Sequence, residues 1–275
     1  MIWALNIEFA GRQITVRVHG ARLRATVERR FQKLLVPAAP APIGSFELVD
    51  SGGTYRLTEE GRECAADSVL ENVVERLAHL VAERFVAALP QLLWFHAGAV
   101  ASRGSAVLLP ATWGGGKSTL TSTLAEDGWE YLSDDLAPVD PRNDTVLPFP
   151  RTPTVRVDSG VVLPRERVSE LSKLEISPHG WEVPTCGLPI GSIVFPSFVA
   201  GGRTEIEPCA AEDAALLLIR HCLNFPNHRG EAVAYVTRLV ERVEVFRLYY
   251  SDSAAGVASI ERACRPAGPS RGAQL

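Results

Sequence analysis

Lysine is nearly missing from this chain: Lys33, Lys117 and Lys173 are the only three among 28 basic residues. So lopsided a preference for arginine reads as coding bias, and it makes a lysine inside a glycine run conspicuous. An excess of one charge sign is lacking too. With a formal net charge of -4 and a pI near 5.9, no global field favours nucleic acid or an anionic membrane surface, so any anion site has to be local. Paired cysteines are also missing. Cys64, Cys186, Cys209, Cys222 and Cys264 are odd in number, widely spaced and never in a C-x-x-C pair, which speaks against a disulfide framework and a zinc site and fits reduced thiols. No apolar run reaches membrane-spanning length. The stretch Met1–Glu8 has no basic n-region and carries a carboxylate, which is wrong for a secretory signal. The expectation is a cytoplasmic protein with neither nucleic acid nor a membrane as partner. What is present, 46% hydrophobic residues over 275, suits one large α/β domain, or a core domain with a smaller appendage.

Residues 2–19 read as a β-hairpin, because Ile14, Val16 and Val18 alternate with Thr15, Arg17 and His19 after a turn at Ala10-Gly11-Arg12. A second hairpin is expected from Phe46–Val49 and Thr54–Leu57 around Ser51-Gly52-Gly53, with a proline-rich connector at 37–42 between the two. Ser68 and Glu71 form a capping-box pattern, and Val69, Val73, Leu77, Leu80 and Val81 then predict a helix over 68–89. Apolar strands follow at 92–101 and 105–110, then a glycine run, then a helix from about Gly116. A strand at Trp129–Leu132 should end at Ser133-Asp134-Asp135. The stretch 138–208 reads as sheet and loop, 211–223 as a helix opened by Glu212 and Asp213, and 243–264 as a last strand and helix. The expected organisation is a β-rich region over 1–89, a core domain over 90–264 and a disordered tail over 265–275.

Gly116-Lys117-Ser118 fills the last three positions of the pattern G-x-x-x-x-G-K-[ST], while Ala111 stands in place of its first glycine. Gly114, Gly115 and Gly116 let the backbone curl so that the N–H groups of 114–119, through Lys117, Ser118 and Thr119, can converge on phosphate oxygens at a helix N-terminus. Lys117 would reach the β and γ phosphates, and the Ser118 hydroxyl would hold magnesium. The competing reading is a glycine-rich turn before an ordinary helix. The apolar strand Ala106–Leu109 before the loop and the apolar face of Leu120, Leu124 and Ala125 after it favour the phosphate loop.

Asp134 and Asp135 stand 16 positions beyond Ser118, at the end of a strand expected to run parallel to the loop's own. One carboxylate could serve magnesium and the other accept the proton of an attacking hydroxyl. Neighbours on a regular strand point to opposite faces, so a shared site requires the strand to end or bend here. A solvated Asp-Asp turn is the alternative. His96, in Trp94-Phe95-His96-Ala97-Gly98-Ala99-Val100, reads by itself as a core histidine.

These features in this order resemble the kinase domain of the HPr kinase/phosphorylase family, and more closely the shorter HPr kinase-related proteins often encoded near peptide-modification genes. The matching text is His96–Val100, then Leu108–Ala111 leading into Gly114–Leu120, then Gly128–Asp135. The overlap is densest over 90–160. The related proteins also tend to carry alanine at position 111. The resemblance implies an α/β fold with a P-loop kinase core of the HPr kinase type, a mixed sheet with flanking helices, preceded by a smaller β-hairpin-plus-helix region. It implies ATP as co-substrate and magnesium as cofactor. By resemblance His96 holds and polarises the carboxylate of Asp134, the general base, while Asp135 and Ser118 bind magnesium. A Pro-Arg-Pro-x-x-x-Lys stretch of the related proteins is echoed by residues 150–156, which makes Arg151 and Arg156 candidate phosphate clamps; a solvated loop arginine is the other reading of each. The family's glutamate-bearing segment after the acidic pair and its carboxyl-terminal HPr-contacting segment have no counterpart here. HPr is therefore not the expected acceptor. Some relatives phosphorylate a serine of a lasso-peptide precursor, so the expected activity is transfer of the γ-phosphoryl group to a serine-type hydroxyl of a peptide or protein. A non-catalytic ATP-binding scaffold, plain ATP hydrolysis and a small-molecule hydroxyl kinase are the alternatives. The oligomeric state, a homo-oligomer included, is left open.

Overall fold

The computed structural model describes residues 1–38, 41–112, 115–156, 173–176 and 180–264. It is a mixed α/β structure in two compact units. The first comprises Met1–Gln91 with Phe149–Thr152, and the second Leu92–Pro148 with Pro153–Leu275.

In the first unit the alternation over residues 2–19 becomes strands β1 (Ile2–Phe9) and β2 (Arg12–His19), antiparallel from Ile2 opposite His19 to Phe9 opposite Arg12. Helix α1 (Ala21–Phe31) and strand β3 (Leu35–Val36) follow, then β4 (Gly44–Asp50), β5 (Tyr55–Glu59) and β6 (Arg62–Asp67). The sheet order is β3-β1-β2-β4-β5-β6. Strand β2 pairs parallel with β4, and two parallel strands need a crossover, which α1 supplies. That helix was not expected, because only Leu23, Val27 and Phe31 carry its apolar face amid arginines. Helix α2 (Leu70–Ala88) starts later than the sequence pattern predicts. Val69 is its N-cap and no side chain caps it; the Asp67 carboxylate instead accepts from Val69 N–H (2.8 Å) and Asn72 Nδ2 (3.0 Å). Those bonds hold the Asp67 carboxyl below its ordinary value. Phe9, Phe85 and Phe149 meet edge to face at 4.9–6.0 Å and close this unit's core.

The second unit opens with β7 (Leu93–Phe95), β8 (Ala97–Ser102), β9 (Ser105–Pro110), α3 (Lys117–Glu126), β10 (Glu130–Ser133), β11 (Ala137–Asp140) and β12 (Thr145–Val146). A separate two-stranded pair joins β13 (Thr154–Arg156) to β14 (Lys173–Glu175). The chain ends through β15 (Leu188–Phe198), β16 (Glu205–Pro208), α4 (Ala211–Arg220), α5 (Phe225–Val240), β17 (Glu244–Tyr250) and α6 (Ser253–Ala263). Helix α5 was also not expected. The large sheet is mixed: β9, β15 and β17 run parallel, and β8 is antiparallel to both β9 and β10. Strand β9 alternates its side chains between two cores. Leu108 packs with residues of α4 and α5, such as Leu218 and Val236, whereas Val107 and Leu109 pack with Leu120 and Leu124 of α3 and Val257 and Ile260 of α6. Helices on both faces explain why these strands read as continuous apolar runs.

The tail after Arg265, expected to be disordered, lies outside the described residues. All five cysteines are unpaired thiols, and burial pushes Cys222 and Cys264 up to about 11. No helix among the described residues is long and apolar enough to cross a membrane.

Candidate functional site

The glycine run follows the end of β9 and turns directly into α3. Gly115 N–H donates to the Thr112 carbonyl (3.0 Å), and Gly116 takes a left-handed conformation (φ 83°) as the helix's N-cap. A side chain on Gly116 would fall 1.7 Å from the Tyr250 hydroxyl, so glycine is required there by conformation and by space. Ala111 is accommodated next door. Its Cβ lies 2.9 Å from where a Cβ on Gly115 would be, so the missing first glycine is offset by a glycine four residues on. Gly114 lies outside the described residues.

Lys117 begins α3 and is only 5% exposed. Its Nζ lies 3.1 Å from His96 Nε2 and 3.8 Å from Asp135 Oδ1. The first turn of α3 holds no acidic residue and no capping side chain, so the lysine's positive charge adds to the positive end of the helix. Ser118 is half-buried and Thr119 exposed in that same turn.

The strand expected over 92–101 is two strands. Strand β7 pairs with β11 while β8 pairs with β9 and β10, and His96 sits at the change of partner. The segment after α4 pins this break. His96 N–H donates to the His221 carbonyl (2.8 Å), Leu223 N–H to the Trp94 carbonyl (2.7 Å), and the Asn224 amide both accepts from Trp94 N–H (3.0 Å) and donates to the Leu92 carbonyl (2.8 Å). The His96 ring is therefore released from the sheet's alternation and carried to Lys117.

Strand β10 runs antiparallel to β8 and so in the same direction as β9, with a register shift between Tyr131 and Ser133, and ends at Ser133. The regular alternation thus stops before the acidic pair, as a shared site requires. Asp134 is 8% exposed and accepts from Thr121 Oγ1 of α3 (3.2 Å). Gly98 of β8 permits that approach, because a Cβ there would lie 2.5 Å from Thr121 Cγ2. Asp135, with its side chain 40% exposed, lies 2.9 Å from His96 Nε2 through Oδ1. The histidine expected on Asp134 thus meets Asp135, because the bend after β10 turns Asp134 under α3 and Asp135 toward β8.

The two arginines fare differently. Arg151 belongs to the first unit, where it is buried with Nη1 directed at the Ala78 carbonyl (3.4 Å) and its guanidinium over the Phe149 ring. The backbone of Arg156 lies in β13, and its side chain is outside the described residues.

Four residues gain a role that the sequence did not signal. Thr121 bridges α3 to Asp134, Tyr250 backs the glycine loop, Asn224 sets the strand break, and His221 holds its ring tilted against that of His96 at 6.2 Å. Burial first, then the charges of His96 and Lys117, lower His221 to about 4. Asn224, His221 and Tyr250 are single residues remote in sequence from the motif they serve, and Thr121 bonds across 13 positions.

No protein-family model matches this chain, and no curated protein does. Among solved structures, the HPr(Ser) kinase/phosphatase from Coxiella burnetii is similar at 11% identity and a TM-score of 0.30, covering 62% of this chain and 95% of that one. So distant a likeness carries no conclusion about chemistry, which has to be read from the side chains themselves.

Proposed function

We infer that the second unit binds ATP with magnesium through the glycine loop and transfers the γ-phosphoryl group to a serine-type hydroxyl of a peptide or protein. One observation carries this: a buried ammonium, Lys117, at the uncapped amino end of α3, where the helix dipole opposes a cation. A polyphosphate relieves that conflict by taking the lysine charge together with the N–H groups that point out of the start of α3. A glycine turn before an ordinary helix has no use for such a lysine.

The acceptor side is served by His96 and the acidic pair. His96 Nε2 has one role at a time: it accepts from Lys117 when bare, or donates to Asp135 when protonated. Phosphate drawing Lys117 toward itself would leave Nε2–H to hold Asp135. The better-exposed Asp135 is then the carboxylate open to an incoming hydroxyl, and the buried Asp134 the one beside α3, which reverses the roles expected from the resemblance. In the transfer, the hydroxyl proton passes to Asp135 as the bond from its oxygen to γ-phosphorus forms. The bond from γ-phosphorus to the β,γ-bridging oxygen breaks, leaving ADP. The hard oxygens of Ser118 and Asp134 suit magnesium, which when bound would neutralise charge on the β and γ phosphates. Among the described residues no cluster of three or more His, Cys, Asp or Glu side chains could hold a metal by itself, so the phosphates would supply the remaining ligands.

The test is label transfer from γ-labelled ATP with magnesium to serine-containing peptides. Asp135→Asn should reduce transfer by at least about 100-fold while ATP still binds. Undiminished transfer in that variant returns the base to Asp134, and ATP binding with no transfer to any hydroxyl reduces the protein to a nucleotide-binding scaffold.

A further inference from the structure

The carboxyl ends of the parallel strands β9, β15 and β17 lie side by side, and the groups around them divide by chemistry. On the β8 and β10 side of β9 stand His96, Asp134 and Asp135. On the β15 and β17 side stand Phe198, Val199 and Tyr250. Phe198 closes β15 and is 51% exposed, and Val199 after it is exposed as well. An exposed aromatic ring in this position, with the buried Tyr250 behind it, calls for a reason when the backbone that carries it is tied down. Val199 N–H donates to the Tyr250 carbonyl (2.8 Å), Gly202 N–H to the Val199 carbonyl (2.9 Å), and Ser251 Oγ to the Gly202 carbonyl (2.8 Å). The Phe198 ring meets Tyr250 edge to face at 5.5 Å, and the Tyr250 hydroxyl in turn lies 3.5 Å from the Gly115 carbonyl oxygen. One continuous contact thus runs from the glycine loop to an open aromatic face.

A nucleotide is elongated, with its phosphates at one end and its base at the other. If the terminal phosphate points toward the carboxylates on the β8 and β10 side, the base extends the opposite way, over β15 and β17. We propose that Phe198, backed by Tyr250 and flanked by Val199, is the platform on which the base of the bound nucleotide stacks. The proposal rests on the phosphate-binding reading of the glycine loop. Recognition is by a π-face and apolar contact, so the platform favours the two-ring face of a purine over a pyrimidine.

Calorimetric titration of magnesium-ATP and of magnesium-tripolyphosphate, which has the phosphates and no base, separates the two ideas. The wild type should bind ATP about 10- to 100-fold more tightly than tripolyphosphate, the range that one stacked base supplies. Phe198→Ala should remove most of that advantage and leave tripolyphosphate affinity within about twofold. Phe198→Leu, which keeps an apolar contact with Tyr250, should lose the advantage as well, and Phe198→Trp should keep it. Equal weakening of both ligands, an unchanged ratio, or a wild type that prefers neither ligand overturns the platform. ATP binding that depends on Lys117 but ignores Phe198 sinks the platform alone; a wild type that binds neither ligand sinks the phosphate loop with it.

Discussion

Arg30 in the first unit and Lys117 in the second are both buried cations, and their surroundings differ in kind. Arg30 sits in the last turn of α1, where a positive charge suits the helix dipole, and is paired with Glu75 at 2.9 Å and with the Thr152 carbonyl. Lys117 opens α3 against the dipole, beside His96 and Asp135. The first arrangement satisfies a charge to hold a fold together. The second sets a cation against a helix dipole beside a histidine and a carboxylate, and such a local conflict marks a candidate functional position.

Exchanging the two cations tests that contrast most severely. Lys117→Met should abolish phosphotransfer, by about 1000-fold or more, with a melting temperature equal to or above that of the parent. Arg30→Met should cost about 1–3 kcal/mol in denaturant unfolding, because the Glu75 carboxylate and the Thr152 carbonyl lose the guanidinium. A loss of stability in Lys117→Met like that of Arg30→Met would make the lysine a structural charge and end the distinction.

Glycines sharpen it next. Gly61, between β5 and β6, has φ 84° with open space around it, and Gly116 has φ 83° with Tyr250 Oη 1.7 Å from its would-be Cβ. Gly61→Ala should cost about 1 kcal/mol of stability and leave activity alone. Gly116→Ala carries the same backbone cost and displaces Tyr250 besides, so ATP affinity should fall by about tenfold or more in titration. Equal behaviour of the two variants would mean that the glycine loop is an ordinary turn.

The smallest effect is a pH dependence carried by His221. Its folded value, about 4, lies below the ordinary 6.5, so the unfolded chain takes up a proton that the folded ring refuses. The stability it contributes is present above pH 6.5 and lost as pH falls toward 4. Allowing for its partial exposure this amounts to about 1 kcal/mol, and His221→Gln should flatten that part of the melting-versus-pH curve. An unaltered curve would remove His221 from the charged cluster.

Much of the architecture was legible because it rests on local periodicity. The hairpin of β1 and β2, the strand–loop–helix of β9 and α3, and the last strand and helix all declare themselves by alternation, by glycine and by helical spacing. Helix α1 did not, because its apolar face is three residues wide and its necessity comes from a parallel pairing formed with β4. Nor did the start of α2, where Val69 rather than Ser68 is the N-cap and Asp67 binds Val69 N–H just ahead of the helix.

The residues of the site divide in the same way. Gly116, Lys117, Ser118 and the acidic pair are contiguous words, and their chemistry follows from residue type and spacing alone. What the sequence determined by itself was which groups are available: a loop lysine, two carboxylates and a histidine. Only the tertiary structure decided their pairing. The strand break held by Asn224 aims His96, the bend after β10 sends Asp134 under α3 and Asp135 outward, and the packing of Phe149 takes Arg151 into the first unit's core. Those outcomes depend on contacts between residues tens of positions apart, and no local pattern encodes them.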